Sequence, residues 1–223
     1  MKISAIIPAA GSGSRYSKNK NKLLENLCGK PVFIHTIEKI ALVDEINEII
    51  ICTSPDIIEE ITLLIEKWFI NNAIKIILGG ETRQQSVYNG LKRCENPDFV
   101  LIHDAARPLI EKETIIQAIN SAKEKGSAIV AVPSKDTIKI ADDTLKITGT
   151  PDRKYLWNIQ TPQIFKYEEI LNAHERFKEL DATDDAALLE KTGKNVYLFK
   201  GSYKNIKITT TEDLMIAEVL TFD

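Results

Sequence analysis

Ile3-Ser4-Ala5-Ile6-Ile7-Pro8-Ala9-Ala10-Gly11-Ser12-Gly13-Ser14-Arg15 is an apolar strand that runs straight into a glycine-rich turn, with Lys18, Lys20 and Lys22 close behind. Glycines let a backbone approach phosphates and aim successive N–H groups at them, and Arg and Lys supply the countercharge. The stretch therefore suits a nucleoside triphosphate, with a plain strand-to-helix bend as the alternative. A dinucleotide fingerprint would need a third glycine where Tyr16 stands, and a P-loop would need Gly-Lys-Ser/Thr after Gly13; neither is present.

Working outward, short β-rich runs recur at Ile3–Ile7, Ile46–Cys52, Ile74–Leu78, Phe99–His103, Ala128–Val132 and Val196–Phe199. Segments with apolar residues three and four apart separate them, and helices are expected over Glu59–Phe69, Gln84–Arg93 and Ile115–Lys125. This alternation predicts an α/β fold, a Rossmann-like three-layer sandwich with a mostly parallel sheet. Ligands of such folds bind at the C-terminal strand ends, where Gly11, Gly79-Gly80, Asp104 and Pro133 fall. Thr137 to Thr148 breaks the pattern: it reads as two period-two strands around Asp142-Asp143, a β-hairpin with Ile138, Ile140, Leu145 and Ile147 to bury. It either packs on its own sheet or projects as an arm, at about 134–153, into a second subunit; a homodimer is the preferred expectation.

The 223 residues suit a single domain over 1–223, and the net charge of −3 argues against nucleic acid as a partner. Cys28, Cys52 and Cys94 form no Cys-x-x-Cys pair and are expected to be buried free thiols. The N-terminal apolar stretch is too short for a signal peptide or a membrane span, so a soluble, cytoplasmic protein without a membrane partner is expected.

Three further clusters carry chemistry. Gly79-Gly80-Glu81-Thr82-Arg83-Gln84-Gln85-Ser86 would let a flat base approach the backbone at Gly80, with Ser86 either on a base edge or capping a helix. His103-Asp104-Ala105-Ala106-Arg107-Pro108 sets a carboxylate and a guanidinium beside two small residues. Asp104 is a candidate for a substrate hydroxyl or a magnesium ion, with a structural Asp104–Arg107 pair as the alternative; His103 reads as a core histidine. Asn205-Ile206-Lys207-Ile208-Thr209 reads as a short strand whose Lys207 either meets an anion or faces water. Arg153 and Thr161 complete the anion-binding candidates.

With AAGSGSR (9–15), NKLLENLCGKPV (21–32), GGETRQQSV (79–87), HDAARP (103–108), KDTIK (135–139), DRKYLWNIQTPQIF (152–165), ATDDA (182–186) and NIKIT (205–209) in this order, the chain resembles the 2-C-methyl-D-erythritol 4-phosphate cytidylyltransferases over almost its whole length. The resemblance implies a nucleotidyltransferase-type fold and transfer of a cytidylyl group from CTP to a polyol phosphate, with magnesium and release of pyrophosphate. It implies that Arg15, Lys22 and Lys207 stabilise charge at the reacting phosphates. Pro8, Ala9, Ala10, Gly11, Gly80, Arg83 and Ser86 would frame the nucleotide, and Asp104, Arg107 and Thr161 would meet the sugar phosphate. Thr137 and Arg153 would arrive from a neighbouring subunit's arm. Counting forward to Gly29-Lys30-Pro31 selects Lys22 over Lys18 and Lys20.

Two positions depart from the family pattern: Asn21 replaces a proline, which loosens the turn, and Leu23 replaces a glutamine, which removes an amide. The competing readings are a ribitol 5-phosphate cytidylyltransferase, a non-catalytic nucleotide-binding regulator and, more distantly, a dehydrogenase. HDAARP favours methylerythritol phosphate over ribitol phosphate.

Overall fold

The computed structural model describes residues 1–11, 21–69, 73–180 and 182–221. In chain order these form β1 (Ile3–Ala9), β2 (Asn26–Leu27), β3 (Lys30–Pro31), α1 (Val32–Ala41), β4 (Ile46–Thr53), α2 (Ile58–Trp68), β5 (Ile74–Leu78), α3 (Arg83–Leu91), β6 (Phe99–Ile102) and α4 (Lys112–Lys125). There follow β7 (Ser127–Pro133), β8 (Ile140–Ala141), β9 (Ile147–Gly149), β10 (Trp157–Lys166), α5 (Tyr167–Arg176), α6 (Asp185–Glu190), β11 (Leu198–Lys200) and α7 (Thr211–Thr221).

The central sheet has seven strands in the order β11-β7-β10-β6-β1-β4-β5. The pairs β1–β4, β1–β6, β4–β5 and β11–β7 are parallel, while β10 runs antiparallel to both β6 and β7. Both faces are covered, and the strand residues sort by parity. Ile3, Ala5 and Ile7 join Ile49 and Ile51 in one buried layer with Phe33, Ile37, Ile61, Ile115 and Ile119 of α1, α2 and α4. Ile6, Ile50 and Cys52 join the opposite layer with Val87, Leu91, Ile170 and Leu188 of α3, α5 and α6. The expected α/β three-layer architecture is therefore observed.

The sequence expectation missed β10, which inserts antiparallel where a further parallel strand would have been assumed. It also missed α1 and the three short helices α5, α6 and α7. Asn205–Thr209 is not a strand. It is an extended segment held by the Ile208 N–H donating to the Ala106 carbonyl at 2.9 Å, and by Asp213, whose Oδ2 accepts from the Thr209 and Thr210 N–H groups at 2.8 and 2.9 Å. Of the three cysteines, Cys52 is buried, Cys94 is half-buried and Cys28 is exposed. Cys28 escapes burial because, with Gly29, it forms the two-residue turn joining β2 to β3, where φ is +49° and +92°.

The expected hairpin is present in shorter form, with Ile140–Ala141 paired to Ile147–Gly149. Its turn is organised by Asp142, whose Oδ1 accepts from the Thr144 and Lys146 N–H groups at 3.0 and 3.1 Å. It does not pack on its own sheet: Ile138, Ile140, Leu145 and Ile147 are 41 to 87% exposed. Among the described residues no helix is long and apolar enough to cross a membrane.

Contact between α3 and the sheet depends on a residue without a side chain. A Cβ at Gly90 would lie 2.6 Å from Ile6 Cγ2 and 3.0 Å from Cys52 Sγ. Overpacking costs about 1–3 kcal/mol, and the better helix propensity of alanine returns about 1. Gly90→Ala is expected to lose about 1–2 kcal/mol in urea unfolding, and an unchanged or higher midpoint would refute this packing.

Candidate active site

The C-terminal ends of β1 and β6, the start of α3 and the 205–209 segment surround a cleft of about 550 Å³. Pro8, Ala9, Ala10, Gly11, Lys22, Gly80, Arg83, Ser86, Asp104 and Lys207 all line it. A second cleft of about 580 Å³ lies between β6, β10, β7 and α6 and brings Arg107 and Thr161 to the same centre; Arg83, Asp104 and Lys207 are walls of both. Arg15 lies outside the described residues. Thr137 and Arg153 are exposed and line neither cleft; Arg153 Nη1 instead donates to the Lys135 carbonyl at 2.9 Å, at the base of the arm.

Local structure explains the first cleft. Thr82 caps α3 through a capping box, its hydroxyl accepting from Gln85 N–H at 3.1 Å while Gln85 Oε1 accepts from Thr82 N–H at 3.4 Å and also from Glu81 N–H at 2.9 Å. The cap is therefore Thr82 and not Ser86. The Ser86 hydroxyl donates to the Thr82 carbonyl at 2.9 Å and accepts from Gly80 N–H at 3.0 Å, which folds the glycine loop onto the helix. A Cβ on Gly79 would come within 2.7 Å of both Ala10 Cβ and Ser86 Oγ, so the β1 and β5 exits touch only because this residue is glycine.

The two departures around Lys22 are accommodated by the fold. Asn21 Oδ1 accepts from Leu23 N–H at 3.0 Å, and the Asn21 carbonyl accepts from Leu24 N–H at 2.9 Å, so an Asx-type turn stands in for a proline. Leu23 is buried in the core layer beneath the cleft. Lys22 is thus held between a turn on one side and a hydrophobic plug on the other.

Asp104 is the centre of the site. Its side chain is 10% exposed, with Lys207 Nζ 2.9 Å from Oδ2, Arg83 Nε 3.1 Å from Oδ1 and Arg107 Nε 3.7 Å from Oδ2. Burial acts to raise its pKa, but Arg83, Lys207 and Arg107 together hold the carboxyl well below the usual carboxylate range. Lys207 therefore meets an anion, and the Asp104–Arg107 pair is part of a larger cluster. The arrangement does not fit Asp104 as a magnesium ligand, because its oxygens already face three cations. The described residues contain no cluster of His, Cys, Asp or Glu able to hold a metal.

Sequence reasoning missed the layer behind these residues. Arg83 Nη1 also donates to Asp185 Oδ2 at 2.8 Å, and His174 Nε2 lies 3.0 Å from Asp185 Oδ1. Asp185, 1% exposed, is opposed by its burial but held below the usual carboxylate range by Arg83 and His174. Asn205 donates to the Thr161 carbonyl at 2.8 Å, and its own carbonyl accepts from Arg107 Nη1 at 2.8 Å. The ATDDA run carried Asp185 and the NIKIT run carried Asn205 without showing what either does; His174 lay in no motif.

Because the folded-state pKa of Asp185 is depressed, its stabilisation is present above the unfolded value of about 3.9 and is lost as pH falls below it. Asp185→Asn is expected to cost about 3 kcal/mol near neutral pH, as breaking a buried pair does, with the difference from wild type shrinking below about pH 4. Urea unfolding across a pH series measures this, and a difference independent of pH would refute it.

Comparison with known proteins extends the match beyond the site. The family model for IspD, 2-C-methyl-D-erythritol 4-phosphate cytidylyltransferase, covers residues 3–222. A 2-C-methyl-D-erythritol 4-phosphate cytidylyltransferase of Caldanaerobacter subterraneus is 48% identical over 226 residues, spanning 98% of each chain. One of Alkaliphilus oremlandii is 47% identical over 221 residues, spanning 97% of this chain and 94% of the relative. The crystal structure of 4-diphosphocytidyl-2C-methyl-D-erythritol synthase from Anaerococcus prevotii superposes with a TM-score of 0.88 at 35% identity, covering 99% of this chain and 96% of that one. The family model spans nearly the whole chain and the relatives match it end to end, so the chain belongs to the 2-C-methyl-D-erythritol 4-phosphate cytidylyltransferase family.

Proposed function

We propose that this enzyme joins CTP and 2-C-methyl-D-erythritol 4-phosphate, giving the CDP-linked product and pyrophosphate in non-mevalonate isoprenoid precursor synthesis. The observation that carries this reading is the pair of clefts sharing the Arg83–Asp104–Lys207 wall, one bordered by the glycine loops and the other by Arg107 and Thr161. The nucleotide occupies the first cleft and the sugar phosphate the second, so the two reacting phosphates meet at the shared wall.

The nucleophile is an oxygen of the acceptor's phosphate monoester, largely dianionic at neutral pH because its second pKa is about 6. It attacks the α-phosphorus of CTP, a P–O bond forms, and the bond to pyrophosphate breaks. No general base is required. The difficulty is bringing two polyanions into line, and positioned positive charge is the remedy. Lys207 gives one N–H to Asp104 and, as an ammonium with three donors, has others to offer both phosphates. Lys22 lines the first cleft and meets the triphosphate there; the family resemblance gives Arg15 the same role. Pro8, Ala9, Ala10, Gly11, Gly80 and Ser86 frame the cytidine, with Arg83 beside them. Magnesium belongs to the reaction as a companion of the triphosphate, where it would neutralise phosphate charge.

The working unit is a homodimer. Thr137 and Arg153 lie outside both clefts of their own chain, and the arm presents Ile138, Ile140, Leu145 and Ile147 to solvent, a surface suited to cover by a second copy. A cytoplasmic setting accords with the exposed free thiol of Cys28.

Pyrophosphate release measured over a matrix of nucleotides and acceptors tests the activity; release with ribitol 5-phosphate in place of methylerythritol phosphate would transfer the assignment to that substrate. Lys22→Ala is expected to lower kcat about 10²-fold or more with the fold intact, the scale of one preorganised charge contact. Near-normal kcat at saturating CTP would remove Lys22 from the mechanism. Arg153→Ala should act mainly through KM for the sugar phosphate. Mixing Lys22→Ala and Arg153→Ala protomers should restore part of the activity, since one site of such a heterodimer is intact; no restoration would argue against a site shared between subunits.

A further inference from the structure

His103 touches neither cleft, yet it determines what Thr161 can do there. The imidazole is fully buried, with Nε2 3.2 Å from the Arg107 carbonyl oxygen and Nδ1 3.0 Å from Thr161 Oγ1. A carbonyl only accepts, so Nε2 carries a proton. Burial opposes a second one: it pushes the ring's pKa down to about 4, against the partial pull of Asp104. Nδ1 is therefore a lone pair, and the Thr161 hydroxyl donates its single proton to it.

The same hydroxyl oxygen accepts the Asp104 N–H at 3.0 Å. A hydroxyl has one donor and two acceptor positions, so the proton and one lone pair are committed to the protein. Thr161 is held in this orientation because its carbonyl accepts from Asn205 Nδ2 at 2.8 Å. What remains for the second cleft, which Thr161 lines, is one lone pair. A phosphate dianion brings no proton to such a group, whereas a polyol hydroxyl does.

We propose that His103 is a positioning residue that fixes Thr161 as an acceptor-only group, so that Thr161 recognises a hydroxyl of the acceptor substrate and not its phosphate. This rests on the reading of the acceptor as a polyol phosphate, and it leaves phosphate recognition to groups other than Thr161.

Two measurements test it. In a nitrogen-15 NMR spectrum of the labelled enzyme near neutral pH, His103 should show a protonated Nε2 and an unprotonated, hydrogen-bonded Nδ1; an imidazolium or the opposite tautomer would overturn the first half. In kinetics, wild type and Thr161→Val are compared on methylerythritol phosphate and on its singly deoxygenated analogues. Wild type should discriminate against one analogue by about tenfold or more, Thr161→Val should lose that discrimination, and Thr161→Ser should recover it. A Thr161→Val enzyme that weakens the parent and every analogue equally would refute the hydroxyl contact. Wild-type enzyme without pyrophosphate release from CTP and methylerythritol phosphate would instead refute the activity and the substrate half of the inference, while the nitrogen spectrum would still decide the His103–Thr161 half.

Discussion

A carboxylate taken out of water at the end of a buried strand must be repaid in hydrogen bonds and countercharge, and Asp104 sets that demand for the whole site. Stripping an unpaired carboxylate of solvent costs several kcal/mol, and removing one partner of a buried pair costs about 3–5. The chain meets the cost with Arg83, Arg107 and Lys207, drawn from the start of α3, the loop after β6 and the 205–209 segment. These pieces are far apart in sequence, and the charge cluster adds to their apolar packing by tying all three to one strand end. Arg83 carries the constraint on to Asp185 of α6, and Asp185 to His174 of α5, so that the opposite-layer helices are tied to the strand end by a chain of polar contacts.

The antiparallel insertion of β10 gives this cluster its two sides. The α4 crossover carries the chain from β6 to β7, and without β10 between them these two strands would be direct neighbours with one crevice at their ends. With β10 between them, Thr161 and Gln163 are delivered directly beside Asp104, and Gln163 reaches on to α6, its Nε2 donating to Asp184 Oδ2 at 2.8 Å and its Oε1 accepting from Ala186 N–H at 3.1 Å. The second cleft exists because this strand runs the other way.

The sequence was most legible where one physical rule acts alone. The parallel strands β1, β4, β6 and β7 are rich in Ile, Val and Ala because most of their residues are buried on both faces, and edge strand β5 keeps three isoleucines; such runs are conspicuous. β10 was hidden because Asn158, Gln160, Thr161 and Gln163 carry polar side chains aimed at the site or at solvent, and Pro162 reads as a breaker. In Asn205–Thr209 the opposite error arose: Ile206 and Ile208 around Lys207 mimic strand alternation, but the alternation here comes from an extended segment burying Ile208 under α7 while Lys207 turns to Asp104. Residues at the clefts were legible through their chemistry. Behind them, His174 lay in no motif, and Asn205 stood in NIKIT without a legible role, since one polar residue buried for its partners looks like any other until the partners are known.

The charge bookkeeping of the cluster also assigns work within the site. Arg83 is held between two carboxylates, so its guanidinium is neutralised before any substrate arrives, and it is better suited to keep Asp104 in place than to bind a triphosphate. Arg107 faces Asp104 and the Asn205 carbonyl. On the proposed reading, Lys207, which also lines the first cleft, and Lys22 are the cations placed to face a triphosphate there. Lys22 stands in the segment in which this chain departs from its family at Asn21 and Leu23. An Asx-type turn and a buried leucine hold the backbone on either side of Lys22, a constraint that a proline would otherwise supply by fixing φ: the same placement of a lysine can be reached by more than one local device.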